Sequence, residues 1–135
     1  MGVLHRFQAM RKGHDMIFNI YQIKLTRDEI EAVNSGAMLG KWKAKAAMMF
    51  GADEWKQGFH KHYTHAGVVE ADFLEDAFDY ANMGHPNAKM RTRSHSASVG
   101  DIFEIEDKFY ICDNEGFVFL PLFADEAAEL EATNV

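Results

Sequence analysis

The spacing of apolar side chains along the chain predicts both strands and helices. Branched and aromatic residues dominate 17–25, with polar residues between them, which is typical of a strand with one wetter face. In 40–50 and 73–83 the apolar positions recur every three or four residues instead, which indicates amphipathic helices. The stretch 101–120 returns to strand character and is interrupted by two short segments typical of tight turns. It therefore predicts a three-stranded meander.

Polar residues next to these segments predict where the helices begin. Thr26 and Glu29 have the spacing of a capping box, so a short helix is expected after residue 26. Asp53 and Asp72 are expected to be the N-caps of two later helices. The first of these would carry one aromatic face, because its aromatic residues recur every four positions: Trp55, Phe59 and Tyr63.

The order of the elements predicts the fold class. The segments do not alternate with the steady period of βαβ units, so the chain is predicted to be α+β. We expect a mainly antiparallel sheet with a C-terminal three-stranded meander and several helices packed on one face. Residues 16–123 would form a single domain, after a leader at 1–15 that is a flexible extension or a short helix. Residues 124–135 would be an acidic tail.

Composition and charge limit the partners and the cellular location that are expected. The chain of 135 residues has a formal net charge of −7, which argues against nonspecific phosphate binding and makes nucleic acid a less favoured partner. The single cysteine, Cys112, suits a reducing compartment, so a cytoplasmic location is expected. No apolar run approaches the roughly 18 residues that a membrane span needs, so no membrane partner is expected.

Three histidines lie within six residues, at His60, His62 and His65. If they converge with a carboxylate such as Glu70 or Asp72, they would form the site of a metal-dependent hydrolase. The simpler interpretation is a helix end, where positively charged imidazoles complement the helix dipole. Tetrahedral zinc sites usually draw on two separated ligand pairs. The sequence therefore favours the simpler interpretation, and no metal or other cofactor is predicted.

Candidate nucleophiles carry no catalytic pattern. Cys112 lies between apolar strand residues and is interpreted as a small core residue. His95 lies between Ser94 and Ser96, with Ser98 nearby, which suggests a serine–histidine pair. Adjacent residues of an extended segment point in opposite directions, however, so the pair would not meet. Their hydroxyl groups are expected to bond to the backbone of the loop. No catalytic residue is therefore predicted.

Basic residues and tryptophans offer one alternative, a nucleic-acid-binding module. Aromatic rings and positive charges together can stack on bases and attract phosphates. The alternative interpretation is that the tryptophans lie in the core while the lysines are solvated. The residues concerned are Lys41, Trp42, Lys43, Lys45, Trp55, Lys89, Arg91 and Arg93.

The second half of the chain carries a family-like pattern. An LE-x-x-F stretch with a following N-x-G is succeeded by HSASVGDI, a tyrosine and a closing GF. This pattern resembles small proteins of bacteriophages and mobile elements that are related to the YodL-like group. The matching residues are Leu74, Glu75, Phe78, Asn82, Gly84, His95, Ser96, Ser98, Val99, Gly100, Asp101, Tyr110, Gly116 and Phe117.

The resemblance implies a phage-type accessory protein of a family without an assigned activity, and it supplies no catalytic residues. We therefore expect a non-enzymatic protein that binds a host or phage macromolecule. The expected binding surface is the polar loop and the turn after it: Arg91, Arg93, His95, Ser96, Ser98 and Asp101. Within the fold, the same turn would direct the chain into the strand that follows.

Overall fold

The computed structural model describes residues 16–91 and 97–134. Within these residues six strands form one antiparallel sheet, and four α-helices accompany it. The strands are β1 (Met16–Gln22), β2 (Thr64–Ala71), β3 (Ala88–Met90), β4 (Ile102–Ile105), β5 (Lys108–Cys112) and β6 (Phe117–Leu120). The helices are α1 (Arg27–Asn34), α2 (Gly40–Met48), α3 (Leu74–Met83) and α4 (Ala124–Glu131). The predicted α+β class with a mainly antiparallel sheet is confirmed.

The strands lie in the order β3-β2-β1-β4-β5-β6, and every neighbouring pair is antiparallel. The meander β4-β5-β6 is present as predicted, but it does not end the fold, because α4 follows it. Leu130 of α4 is only 1% exposed, so this helix packs onto the sheet. No helix among the described residues is long and apolar enough to cross a membrane. The leader 1–15 lies outside the described residues.

Helix boundaries follow the local sequence in one place and differ from it in another. The capping box is present: Glu29 N–H donates to Thr26 Oγ1 at 3.1 Å, and Thr26 N–H donates to Glu29 Oε1 at 2.7 Å. The aromatic helix predicted after Asp53 is wrong. Two short 3-10 turns, Ala52–Glu54 and Phe59–His62, replace it, because the backbone is extended at Trp55 and left-handed at Gly58 (φ +95°), which precedes the second turn. The N-cap of α3 is Phe73, one residue beyond Asp72.

Hydrophobic clusters cover both faces of the sheet, so the prediction that the helices pack on one face is wrong in this detail. Ile102 and Phe103 are neighbours in β4 and both fully buried, and their side chains point to opposite faces. The Ile102 cluster includes residues of α2 and α4, whereas the Phe103 cluster includes residues of α3. A strand that is apolar on both sides needs helices on both sides.

The turn before β4 is pressed against α2. Gly100 has φ +95°, and a Cβ atom built there would lie 2.8 Å from Met48 Cβ and 2.9 Å from the Met48 carbonyl oxygen. The Tyr63 hydroxyl also donates to the Gly100 carbonyl. Glycine is therefore required here both by the backbone conformation and by the close approach of the helix.

Replacing Gly100 by alanine should reduce the free energy of unfolding by about 2–4 kcal/mol, because a left-handed alanine and an overpacked contact each carry a cost. The control is Gly36→Ala, where φ is +101° but nothing lies within 4 Å of the added Cβ. That variant should lose only about 1 kcal/mol. Urea unfolding of both variants measures the difference, and equal losses would show that the Met48 contact is unimportant.

Candidate functional site

Asp101 lies at the centre of the turn that contains the SVGD residues. Its side-chain Oδ2 accepts hydrogen bonds from Gln22 Nε2 and from Ser98 N–H, both at 2.9 Å. The residue is only 8% exposed, whereas Ser98 is exposed. The carboxyl group therefore joins the turn to β1. Of the predicted binding surface, Ser98 faces solvent and Asp101 is internal, while Arg93, His95 and Ser96 lie outside the described residues.

Burial shifts the pKa of two charged groups at this turn, Asp101 and Lys45. It raises the pKa of Asp101 to about 7, although the hydrogen bonds from Gln22 and Ser98 and the charge of Lys45 oppose the shift. Burial also lowers the pKa of Lys45, whose Nζ donates to the Ile23 carbonyl oxygen at 2.8 Å. The adjoining cavity measures about 30 Å³, which admits water but no substrate. The arrangement therefore holds the turn in place.

The three histidines point to separate partners. His60 is buried, and its Nε2 lies 2.6 Å from Glu129 Oε1 in α4. His62 is half-buried, and burial together with the Lys41 charge lowers its pKa. His65 engages both ring nitrogens with other side chains. The described residues therefore do not bring these three imidazoles together around one point, as the hydrolase alternative requires.

His65 belongs to a chain of hydrogen bonds that crosses three strands. Arg91 Nε donates to His65 Nδ1 at 2.8 Å, so Nδ1 is the acceptor and Nε2 carries the proton. His65 Nε2 then donates to Asn19 Oδ1 at 2.8 Å, and Asn19 Nδ2 donates to Glu104 Oε1 at 2.8 Å. Burial and the Arg91 charge lower the pKa of His65, which agrees with a neutral ring. The side chain of Arg91, which was predicted to contact a partner, takes part in this series of hydrogen bonds.

The C-terminal segment covers this chain of hydrogen bonds. Arg91 also donates to the Asn134 carbonyl oxygen at 2.7 Å, and the Tyr21 hydroxyl donates to Asn134 Oδ1 at 2.8 Å. The Thr133 hydroxyl accepts from His65 N–H at 3.0 Å. These hydrogen bonds fix the segment after α4 against the sheet, and the same segment supplies hydrogen-bond partners to Arg91, Tyr21 and the backbone of His65.

A cluster of three carboxylates has the spacing to hold a cation. One side-chain oxygen each of Glu104, Asp107 and Glu131 lies within 4.8 Å of the others. Burial and the neighbouring Asp107 raise the pKa of Glu131. Both oxygens of Glu104 already accept hydrogen bonds, from Asn19 Nδ2 and from Asp107 N–H. The three carboxylates have the oxygen chemistry of a calcium or magnesium site, but protein donors already occupy part of it.

Cys112 and two lysines proposed for nucleic-acid contact also make internal contacts. Burial raises the pKa of the Cys112 thiol to about 11, so it is unreactive at neutral pH. Lys41 forms an ion pair with Glu29 at 3.0 Å, and Lys45 is half-buried. The two lysines are therefore only partly free to contact a nucleic acid, because each already contacts another residue of the protein.

The outer edge of β6 presents hydrogen-bonding groups of the backbone. Cys112 N–H donates to the Asp101 carbonyl and the Cys112 carbonyl accepts from Gly100 N–H, each at 2.8 Å, so both groups of Cys112 point away from β6. Its partner in β6 is Phe117. The alternation of an antiparallel ladder therefore directs the N–H and C=O of Phe117, and of Phe119 two residues later, away from β5. Among the described residues no strand pairs with this edge.

Apolar side chains accompany this edge. Val118 is 42% exposed on one face of β6, and Phe119 is 54% exposed on the other. Phe123 follows at 68% exposure. A groove of about 410 Å³ lies between the end of β6 and α4, and residues that line it include Leu120, Pro121, Leu122 and Ala127. An edge strand with exposed aromatic and branched side chains is a typical site for strand addition.

No family model, curated protein or solved structure matches this chain. The resemblance to phage and mobile-element proteins therefore stays a prediction.

Sequence reasoning identified β6 as a strand but missed its position at the edge. The signal that was present is Pro121, because proline close to a strand is typical of sheet edges. The hydrogen-bonded chain through His65, Asn19 and Glu104 was missed because its members come from three separate strands.

The buried Asp101 predicts a specific pH dependence of stability. Its pKa is higher in the folded protein than in the unfolded chain, so the folded state binds the extra proton between about pH 4 and 7. Its contribution to the free energy of unfolding should therefore fall as pH rises through this window, by about 1.4 kcal/mol for each unit of pKa difference, and level off above it. In Asp101→Asn this fall should disappear, because the amide does not titrate.

Urea unfolding of the wild-type protein and Asp101→Asn at pH 4.5, 6 and 8 measures this difference. The exposed Glu115→Gln serves as the control and should keep the wild-type pH profile. A wild-type and Asp101→Asn pair with parallel profiles would contradict the assignment.

The contact between His60 and Glu129 predicts how firmly α4 is held. Replacing Glu129 by glutamine keeps a hydrogen-bonding side chain but removes its charge, and should cost only about 1 kcal/mol, because Glu129 is 58% exposed. The loss should be local. Amide hydrogen exchange should become faster in 124–131 and stay unchanged in β1, whereas unchanged exchange in α4 would show that the contact does not hold the helix.

Proposed function

We propose that this chain is a non-enzymatic protein-binding module of the phage accessory type, and that it binds its partner through the open edge of β6. The carrying observation is the edge itself. Phe117 and Phe119 direct their backbone N–H and C=O groups outward, and Val118 and Phe119 expose large apolar side chains beside them. A partner segment that adds as a further strand would satisfy both kinds of group at once.

The other polar clusters support a binding role over a catalytic one. The Asp101 carboxyl, the ring nitrogens of His65 and the His60 contact to Glu129 all serve contacts within the fold. The buried, unreactive Cys112 is compatible with the reducing cytoplasm of a host cell, where a phage accessory protein would act. The surface at β6 differs from these clusters because its groups face solvent.

A backbone-directed variant tests this proposal. Phe119→Pro removes an N–H that points away from β5, so it should block strand addition while the β5–β6 ladder remains. The matched control is Phe119→Ala, which truncates the side chain but keeps the N–H. Tagged wild-type and variant proteins are used to capture partners from a lysate of cells that carry the gene.

We expect one partner to be recovered with the wild-type protein and to fall by about tenfold or more with Phe119→Pro, a change of about 1.4 kcal/mol. Phe119→Ala should retain more of the partner than Phe119→Pro. Thermal melting confirms that both variants are folded. Equal recovery by the wild-type protein and Phe119→Pro, or no partner above a tag-only background, would show that the proposal is wrong.

A further inference from the structure

We infer that the segment accepted by the β6 edge is a short extended peptide with apolar residues at its centre and basic residues at both ends. This inference rests on the proposed function, because it specifies the partner of the same surface. Three properties of the edge define it: the number of outward backbone groups, the placement of the exposed side chains and the charge around them.

The outward backbone groups set the length of the pairing. Phe117 and Phe119 each offer one N–H and one C=O, so an antiparallel partner would form two hydrogen-bonded pairs with them. Pro121, the next residue of the same orientation, has no N–H to donate. The ladder would therefore be centred on Val118 and extend over only a few residues of the partner.

The exposed side chains set the core of the partner segment. Val118 and Phe119 point to opposite faces, so a paired strand needs apolar residues at neighbouring positions to cover both. Cross-strand pairs of aromatic and branched residues each contribute about 0.2–1 kcal/mol. The groove between β6 and α4 adds an apolar wall at Leu120, Leu122 and Ala127. A polar segment would leave these surfaces uncovered.

The surrounding charges set the ends of the partner segment. The exposed Glu115 lies in the turn at one end of β6, beside Asp113, whose Oδ1 already accepts a hydrogen bond from Ala52 N–H, and the exposed Asp125 follows the other end in the first turn of α4. Asp107 and Glu131 line the groove. Basic residues at both ends of the bound segment would therefore meet acidic residues. A second copy of this chain would bring the same acidic residues and another net charge of −7, so it fits this edge less well.

Two synthetic peptides test this charge and strand chemistry. The first is Lys-Lys-Thr-Val-Phe-Val-Thr-Lys-Lys, and the second has the same core with glutamate in place of every lysine. Fluorescence anisotropy measures their binding to the wild-type protein, Phe119→Pro and Phe119→Ala at two salt concentrations. Amide chemical shifts and hydrogen exchange of Phe117 and Phe119 locate the contact.

We expect the lysine peptide to bind about tenfold or more tightly than the glutamate peptide, and this advantage should shrink as salt rises. Phe119→Pro should weaken its binding by about tenfold, Phe119→Ala should weaken it less, and the Phe119 amide should become protected only when peptide is added. Equal binding of the two peptides would overturn the inference. So would a Phe119 amide that is protected in the free monomer, because the chain itself would then cover the edge.

Three further outcomes separate this inference from the proposed function. If neither peptide binds while capture of a cellular partner still depends on Phe119, the peptide chemistry is wrong and the function stands. If sedimentation shows a dimer that Phe119→Pro dissociates, a second copy occupies the edge and the inference is wrong. Capture that is independent of Phe119 would remove the proposed function itself.

Discussion

Asp101 and Gly100 connect four parts of the fold through one carboxyl group and the backbone groups of both residues. The carboxyl accepts from Gln22 at the end of β1, and the Gly100 carbonyl accepts from the Tyr63 hydroxyl. Gly100 N–H and the Asp101 carbonyl also bond to the backbone of Cys112 in β5, and Gly100 lies close against Met48 of α2. A change at this turn would therefore disturb the central strands and the helix above them together. These contacts give Gly100 and Asp101 of the motif a structural role.

A sheet that is apolar on both faces leaves few places for polar side chains, and this explains the chain of hydrogen bonds through His65. Asn19 and Glu104 pair across β1 and β4, and Tyr21 pairs with His65 across β1 and β2. Tyr21, His65 and Glu104 are buried, so their polar groups bond to protein partners rather than to water. Arg91 supplies the partner of His65 and Asn134 that of Tyr21, and these contacts fix the segment after α4 against the sheet.

Local sequence predicted the elements whose causes are local. The capping box at Thr26, the meander over 102–120 and the helix of 74–83 depend on residues within a few positions of one another. The helix predicted from the apolar spacing of Trp55 and Phe59 is absent, because an extended Trp55 and a left-handed Gly58 separate two short turns. Contacts between distant strands, such as His65 with Asn19, depend on strand order, which no local pattern contains.

The hydrogen-bond alternation along β5 and β6 agrees with the contacts of the turn that stabilises the centre. Gly100 and Asp101 take both backbone groups of Cys112 toward β4, and this fixes the alternation of hydrogen bonds along β5. The partner residue Phe117 must then direct its own groups outward, and so must Phe119. The hairpin bond from Asp113 N–H to the Gly116 carbonyl oxygen fits the same alternation. The turn and the hairpin are therefore consistent with one set of outward groups on β6, those of Phe117 and Phe119.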